Sequence, residues 1–206
     1  SKFVISILVI LSLITLIIGN LFALRQTNLK RFLAFSSIAQ VGFILVGISG
    51  GSSAGSISVV YFILIYTFSN LAAFGVISII SEATGKETID EYKGLYKNNK
   101  LLSWVMAIAL FSLAGIPPTA GFFGKLFLIM AGAAKGQIWF IVVVVLNLVV
   151  SLYYYLRVVR AIFMDTNERP IETVMVNRIP KFALLVCTVA IITIGLIGWI
   201  YEHIQS

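Results

Sequence analysis

The sequence predicts an all-α fold, a polytopic membrane helix bundle of six transmembrane helices with the fourth interrupted between Gly115 and Gly121. Three observations carry that prediction. The chain is 60% hydrophobic and only 11% charged, at a mean hydropathy of +1.04, whereas soluble domains carry about 25% charged residues. Several separate apolar runs reach the ~20 residues a helix needs to cross a bilayer, about twice the length of a barrel strand. Polar or glycine-rich stretches punctuate these runs.

In chain order, the first span covers about 3–24 and gives way to the polar RQTNLK of 25–30. It lacks a small-residue cleavage site, so it reads as a retained helix and not as a removed signal. The second span, 31–49, stops at SGGSSAG, and the third, 57–81, at the long polar segment EATGKETIDEYKGLYKNNK. The fourth covers 101–133, the fifth follows AAKG over 138–164, and the sixth follows DTNERPIETVMVNRIP over 180–202.

Six crossings put the first, third and fifth connections on one side of the membrane. Twelve of the fifteen Lys and Arg residues fall there, against Lys2 and Lys135 on the other side. Because Lys and Arg set orientation, the basic side is expected to be cytoplasmic, in a cell inner membrane, with both ends of the chain opposite. The net charge of +7 is thereby a topology signal, and nucleic acid is not an expected partner. The single cysteine, Cys187, lies in an apolar run, which gives no support to disulfide, metal or thiol chemistry.

One basic residue, Lys125, has no topological duty. It lies in the fourth span, whose 33 residues would run ~50 Å as a continuous helix against a hydrocarbon core of ~30 Å. Pro117 and Pro118 each remove a backbone donor and clash with the preceding turn, while Gly115 and Gly121 bracket them with permissive backbone. Two half-helices follow, about 101–115 and 121–133, joined by non-helical backbone that must face protein or a wet cavity. A charge near the bilayer centre is costly and needs a role. Lys125 could instead snorkel to the interface, eight residues from the end of its helix. Against this, Gly121 and Gly124 are expected to open room beside its stem for water or a polar partner.

Other spans hold polar residues near their midpoints: Gln40 in the second, Ser69 and Asn70 in the third, Asn147 and Ser151 in the fifth. Singly, such residues are common helix-packing groups. Together with Lys125 they predict a hydrated layer across four helices, to which the first and last helices add little beyond Thr15 and Thr193. A proton could move along that layer if Lys125 alternates between its charged and neutral forms. No Asp or Glu lies deep in any span.

The stretches LRQTNLKRFLAFSSIAQVGFILVG, YTFSNLAAFGVISI, SLAGIPPTAGFFGKLFLI and SLYYYLRVVRAIF resemble, in order, the subunit N (chain 2) family of the proton-pumping NADH-quinone oxidoreductases. AGIPPTAGF alone would point only to the wider group of antiporter-like subunits. The resemblance implies a longer parent with two inverted repeats, of which 1–164 would be one five-helix repeat and 165–206 a polar loop with a final helix. It implies that Lys125 is the functional lysine of the interrupted helix. It also implies partners among the other membrane-arm subunits, including antiporter-like chains, as well as the bilayer and a first half of the same chain.

At Gln40 several relatives carry histidine. Glutamine orients water but cannot hold and release a proton at physiological pH. The expected function is proton translocation by a non-redox subunit of an NADH-quinone oxidoreductase, a translocase, with NADH, FMN, iron–sulfur clusters and quinone on other subunits and no cofactor here. The alternatives are a subunit of a multisubunit sodium/proton antiporter and a structural scaffold that conducts nothing.

Overall fold

The computed structural model describes residues 2–134 and 138–205, with side chains over 3–134 and 138–197. Lys135, counted above as a topology signal, lies outside the described residues. Seven α-helices follow one another there: α1 Lys2–Arg25, α2 Leu29–Ser49, α3 Ser53–Thr84, α4 Lys100–Ala114, α5 Ala120–Ala133, α6 Ile138–Phe163 and α7 Arg178–Gln205. Of these α1, α2, α3, α6 and α7 are each long and apolar enough to cross a membrane, while α4 and α5 are shorter apolar helices. The region expected as one interrupted span is therefore two helices, separated by residues 115–119.

Local chemistry explains where the helices differ from the expected spans. The third begins earlier than 57 because the Ser52 side chain accepts from Gly55 N and caps the helix at Ser53, and it ends later, at Thr84, where Gly85 turns left-handed at φ 71°. Asn28 caps α2 in the same way through Arg31 N. Pro180 sits in the first turn of α7, where a missing donor costs nothing. The polar segment after α3 carries a one-turn 3-10 helix, Leu95–Lys97.

Lipid tails are as apolar as leucine, so close backbone approach and hydrogen bonds, not burial alone, hold membrane helices together. The α1–α2 hairpin uses glycine for this, Gly19 lying against the Ala39 backbone and Gly42 against Leu16. Its other face stays open, with Phe3, Ile10, Ile14, Leu21 and Phe22 exposed.

The pair α4 and α5 runs antiparallel along α3 as a continuous line. Ser112 of α4 meets Ser69 of α3 at 2.8 Å, Gly124 of α5 faces Phe62 and Ile65, and Ala131 near the end of α5 faces Gly55 near the start of α3. From α7, Gly195 lies against the backbone of Pro118, Thr119 and Ala120, closing the break from outside.

The loops at one end of the bundle are tied together. Leu29 N donates to Glu87 O and Ile89 N to Thr27 O. Asn99 holds the segment after α6, accepting from Val174 N at 2.8 Å and donating to Glu172 O at 2.9 Å. Arg157 of α6, counted by sequence as a topology signal, has a structural task as well. Its guanidinium donates to Leu24 O at 3.0 Å and Gln26 O at 2.8 Å, satisfying carbonyls at the end of α1.

Candidate functional site

The site begins with the end of α4. An α-helix leaves its last four carbonyls without intrahelical donors. Two of them are satisfied by a Schellman turn, in which Ile116 N and Gly115 N donate to Phe111 O and Gly115 N also to Ser112 O, with Gly115 left-handed at φ 81°. The next two, Leu113 O and Ala114 O, would find donors four residues on, at positions 117 and 118. Both positions are proline, which has no N–H.

Lys125 supplies the missing donor. Its side chain runs back toward the N-terminus of α5, the direction in which helical side chains tilt, and Nζ reaches Leu113 O at 2.6 Å and Ala114 O at 3.4 Å. The residue is 1% exposed. It does not snorkel outward. Nζ also lies 4.7 Å from the centre of the Phe43 ring, a cation–π contact. Among the described residues the ion pairs are Lys30–Glu87, Lys93–Asp90 and Arg160–Asp165, so no carboxylate accompanies Lys125.

The glycines act differently from the expectation. A side chain at Gly121 would collide with the main chain of Ser112, and one at Gly124 with Phe62, so both serve helix contact and neither opens room for water. It is Gly115 that lies beside the lysine stem: a Cβ there would come 3.1 Å from Lys125 Cδ. The Pro117–Pro118 bond is cis.

Gln40 joins this centre directly. Its Nε2 donates to the same Leu113 O at 3.1 Å and to the Tyr155 hydroxyl at 3.0 Å. Ser69 is buried close by on α3, its hydroxyl donating to Ile65 O at 2.9 Å and sharing a hydrogen bond with the Ser112 hydroxyl at 2.8 Å. Asn147 belongs to a second cluster: it accepts from Asn20 Nδ2 at 2.9 Å, and Asn20 in turn accepts from Tyr154 at 2.8 Å.

Two candidates are not drawn in. Ser151 turns its hydroxyl back to Leu148 O in its own helix. The Asn70 side chain is half-buried and makes no hydrogen bond among the described residues. Consecutive helical residues point about 100° apart, so Asn70 cannot share the face of Ser69.

Sequence reasoning missed Asn20, Ser112, Tyr154 and Tyr155. The first helix, thought to offer little beyond Thr15, contributes the fully buried Asn20, while Thr15 itself bonds only within α1. On α7, Thr193 is exposed. The one available signal was Asn20 itself, a polar residue inside an otherwise apolar run but away from its midpoint. Among the described residues, no group of His, Cys, Asp and Glu is placed to hold a metal.

Residues 1–151 match the family model described as NADH:quinone oxidoreductase/Mrp antiporter, TM. Over 198 residues the chain is 46% identical to NADH-quinone oxidoreductase subunit N of Azobacteroides pseudotrichonymphae genomovar. CFP2, covering 95% of this chain and 41% of the relative. Over 201 residues it is 47% identical to the subunit N of Phocaeicola vulgatus, covering 97% and 43%. A chain of respiratory complex I from Thermus thermophilus superimposes with a TM-score of 0.81 at 30% identity, covering 93% of this chain and 43% of that one. The chain thus spans less than half the length of these relatives.

Proposed function

The chain belongs to the NADH:quinone oxidoreductase/Mrp antiporter transmembrane family, and from that premise we propose that it is a proton-conducting segment in the membrane arm of an NADH-quinone oxidoreductase, with Lys125 as the proton carrier. The observation that carries this reading is the pairing of Lys125 with Leu113 O and Ala114 O, the two carbonyls whose helical donors Pro117 and Pro118 have removed. Neutral carbonyls serve an ammonium well and, unlike a carboxylate, leave no buried anion when the proton departs. A buried lysine so placed tolerates both protonation states.

In this reading α4, the break and α5 make one interrupted crossing, for six in all. Their continuous antiparallel course along the single helix α3 supports it. Residues 1–164 form the five-helix repeat and 165–206 the final loop and helix, whose helix closes the break through Gly195. The basic loops face the cytoplasm, and both ends of the chain lie across the inner membrane. NADH, FMN, iron–sulfur clusters and quinone act on other subunits, and the names of the relatives support a place among them. Within the translocase this chain moves protons and no electrons.

The test is Lys125→Met in the full-length chain, in assembled complex reconstituted in vesicles. Proton uptake driven by quinone reduction should be lost while assembly is retained, and unchanged uptake would refute the proposal. A sodium-driven pH change in vesicles without quinone reductase activity would point instead to the sodium/proton antiporter.

A further inference from the structure

The buried polar side chains do not end at Lys125 and Gln40. Tyr155 and Tyr154 are consecutive on α6, so helical rotation aims them at different neighbours. The Tyr155 hydroxyl receives Gln40 Nε2 of α2 at 3.0 Å, and the Tyr154 hydroxyl donates to Asn20 Oδ1 of α1 at 2.8 Å. Their ring centres lie 4.7 Å apart. Asn20 Nδ2 then donates to Asn147 Oδ1 at 2.9 Å and to Asn147 O at 3.1 Å. Gln40, Tyr155, Tyr154 and Asn20 are all at most 1% exposed.

Such a cluster could serve only to fasten α1 and α2 to α6. Three features argue for more. It is continuous with the lysine, because Gln40 shares Leu113 O with Lys125. It is also incomplete, since Gln40 Oε1 is buried and meets no donor among the described residues. Finally, it contains two hydroxyls, each able to accept and donate through a single oxygen. The Ser69–Ser112 pair on the α3 side is by contrast closed, Ser69 turning also to its own helix.

We propose that Tyr155 and Tyr154 pass protons between Lys125 and the α1–α6 interface, so that the lysine exchanges protons along α2, α6 and α1. This rests on Lys125 being the proton carrier. The ammonium releases a proton to water oriented by the Gln40 amide, which itself does not titrate. Tyr155 takes the proton from that water as its own hydroxyl proton passes to Tyr154, whose hydroxyl proton leaves in turn to water at the α1–α6 interface, and both tyrosines end neutral. Asn20, held by Asn147, is a positioning residue that fixes the direction of the Tyr154 hydroxyl.

The test uses full-length chain in assembled complex in vesicles. Tyr155→Phe and Tyr154→Phe each remove one hydroxyl and keep the ring. Each should lower quinone-driven proton uptake per assembled complex at least threefold, and Tyr155→Phe should raise the solvent deuterium isotope effect on that rate, which a fastening role would not move. Tyr153→Phe, on the exposed face of α6, should leave both unchanged. Adding Tyr155→Phe to Gln40→Leu should cost nothing further.

Wild-type uptake and isotope effect in both phenylalanine variants, with uptake abolished by Lys125→Met, would overturn the route alone. Unchanged uptake in Lys125→Met would overturn the reading beneath it. If a phenylalanine variant fails to assemble, Asn20→Ala keeps both rings and removes the Tyr154 acceptor, and wild-type uptake there likewise overturns the route.

Discussion

Gln40 and Lys125 converge on one atom: the Leu113 carbonyl oxygen accepts from Gln40 Nε2 at 3.1 Å and from Lys125 Nζ at 2.6 Å. The amide and the ammonium come from different helices, so the end of α4 fixes α2 and α5 together. Gln40→Leu removes the amide donor from both the Tyr155 hydroxyl and Leu113 O and is expected to cost about 1–3 kcal/mol, the range for buried polar groups that lose a hydrogen-bond partner. Denaturant unfolding of the assembled protein in detergent measures it. Gln40→His, which restores a donor, should recover most of that loss.

The glycines at the break predict two different failures. Gly121→Ala drives a methyl into the Ser112 backbone and should destabilise by about 1–3 kcal/mol, the usual cost of overpacking, because main chain cannot yield as a flexible side chain does. Gly115→Ala meets a left-handed backbone and the Lys125 stem together, with a strain of roughly 1 kcal/mol. It should also displace the ammonium. Thermal unfolding compares the two, and only Gly115→Ala should lower proton uptake per folded molecule.

How much of this was legible follows from which signals are one-dimensional. Helix positions came from apolar length and the break from Pro117 and Pro118, since proline acts on its own backbone wherever it sits. Lys125 stood out because it alone lacked a topological duty. The partners were harder. Leu113 and Ala114 contribute main-chain oxygens, which no side-chain pattern announces. Asn20 pairs with residues more than a hundred positions away, across an α1–α6 contact that sequence does not specify. The tyrosines of LYYYLR carry the resemblance, but nothing in the sequence says that Tyr154 and Tyr155 are buried while Tyr153 is exposed.

Acid should loosen the loop that follows α3. The Glu87 carboxylate accepts from Lys30 at 2.5 Å, Ser81 at 2.6 Å and Asn28 at 3.1 Å. The Lys30 bond first, then those from Ser81 and Asn28, lower its pKa from 4.5 to about 2. A folded value below the unfolded one means that the contribution is complete above the ordinary carboxylate value and vanishes as the pH falls toward about 2. Thermal unfolding of the assembled protein should therefore weaken with falling pH across that window. Glu87→Gln should flatten the slope, and raised salt should shrink it because the pair is partly exposed.

Arg157 tests whether a basic residue counted as a topology signal is also structural. Its two terminal nitrogens hold Leu24 O and Gln26 O, where α1 ends and the turn to α2 begins. A cation at a helix C-terminus also meets the negative end of the helix dipole. Lysine preserves the charge and therefore the orientation signal, but its compact ammonium cannot reproduce the planar fork. Arg157→Lys should then insert with unchanged topology, as protease access to the loops would report, yet lose about 1–2 kcal/mol against unfolding. Arg157→Met should lose more, because both carbonyls are left without a charged donor. Equal stability of all three proteins would return Arg157 to a topology signal and nothing else.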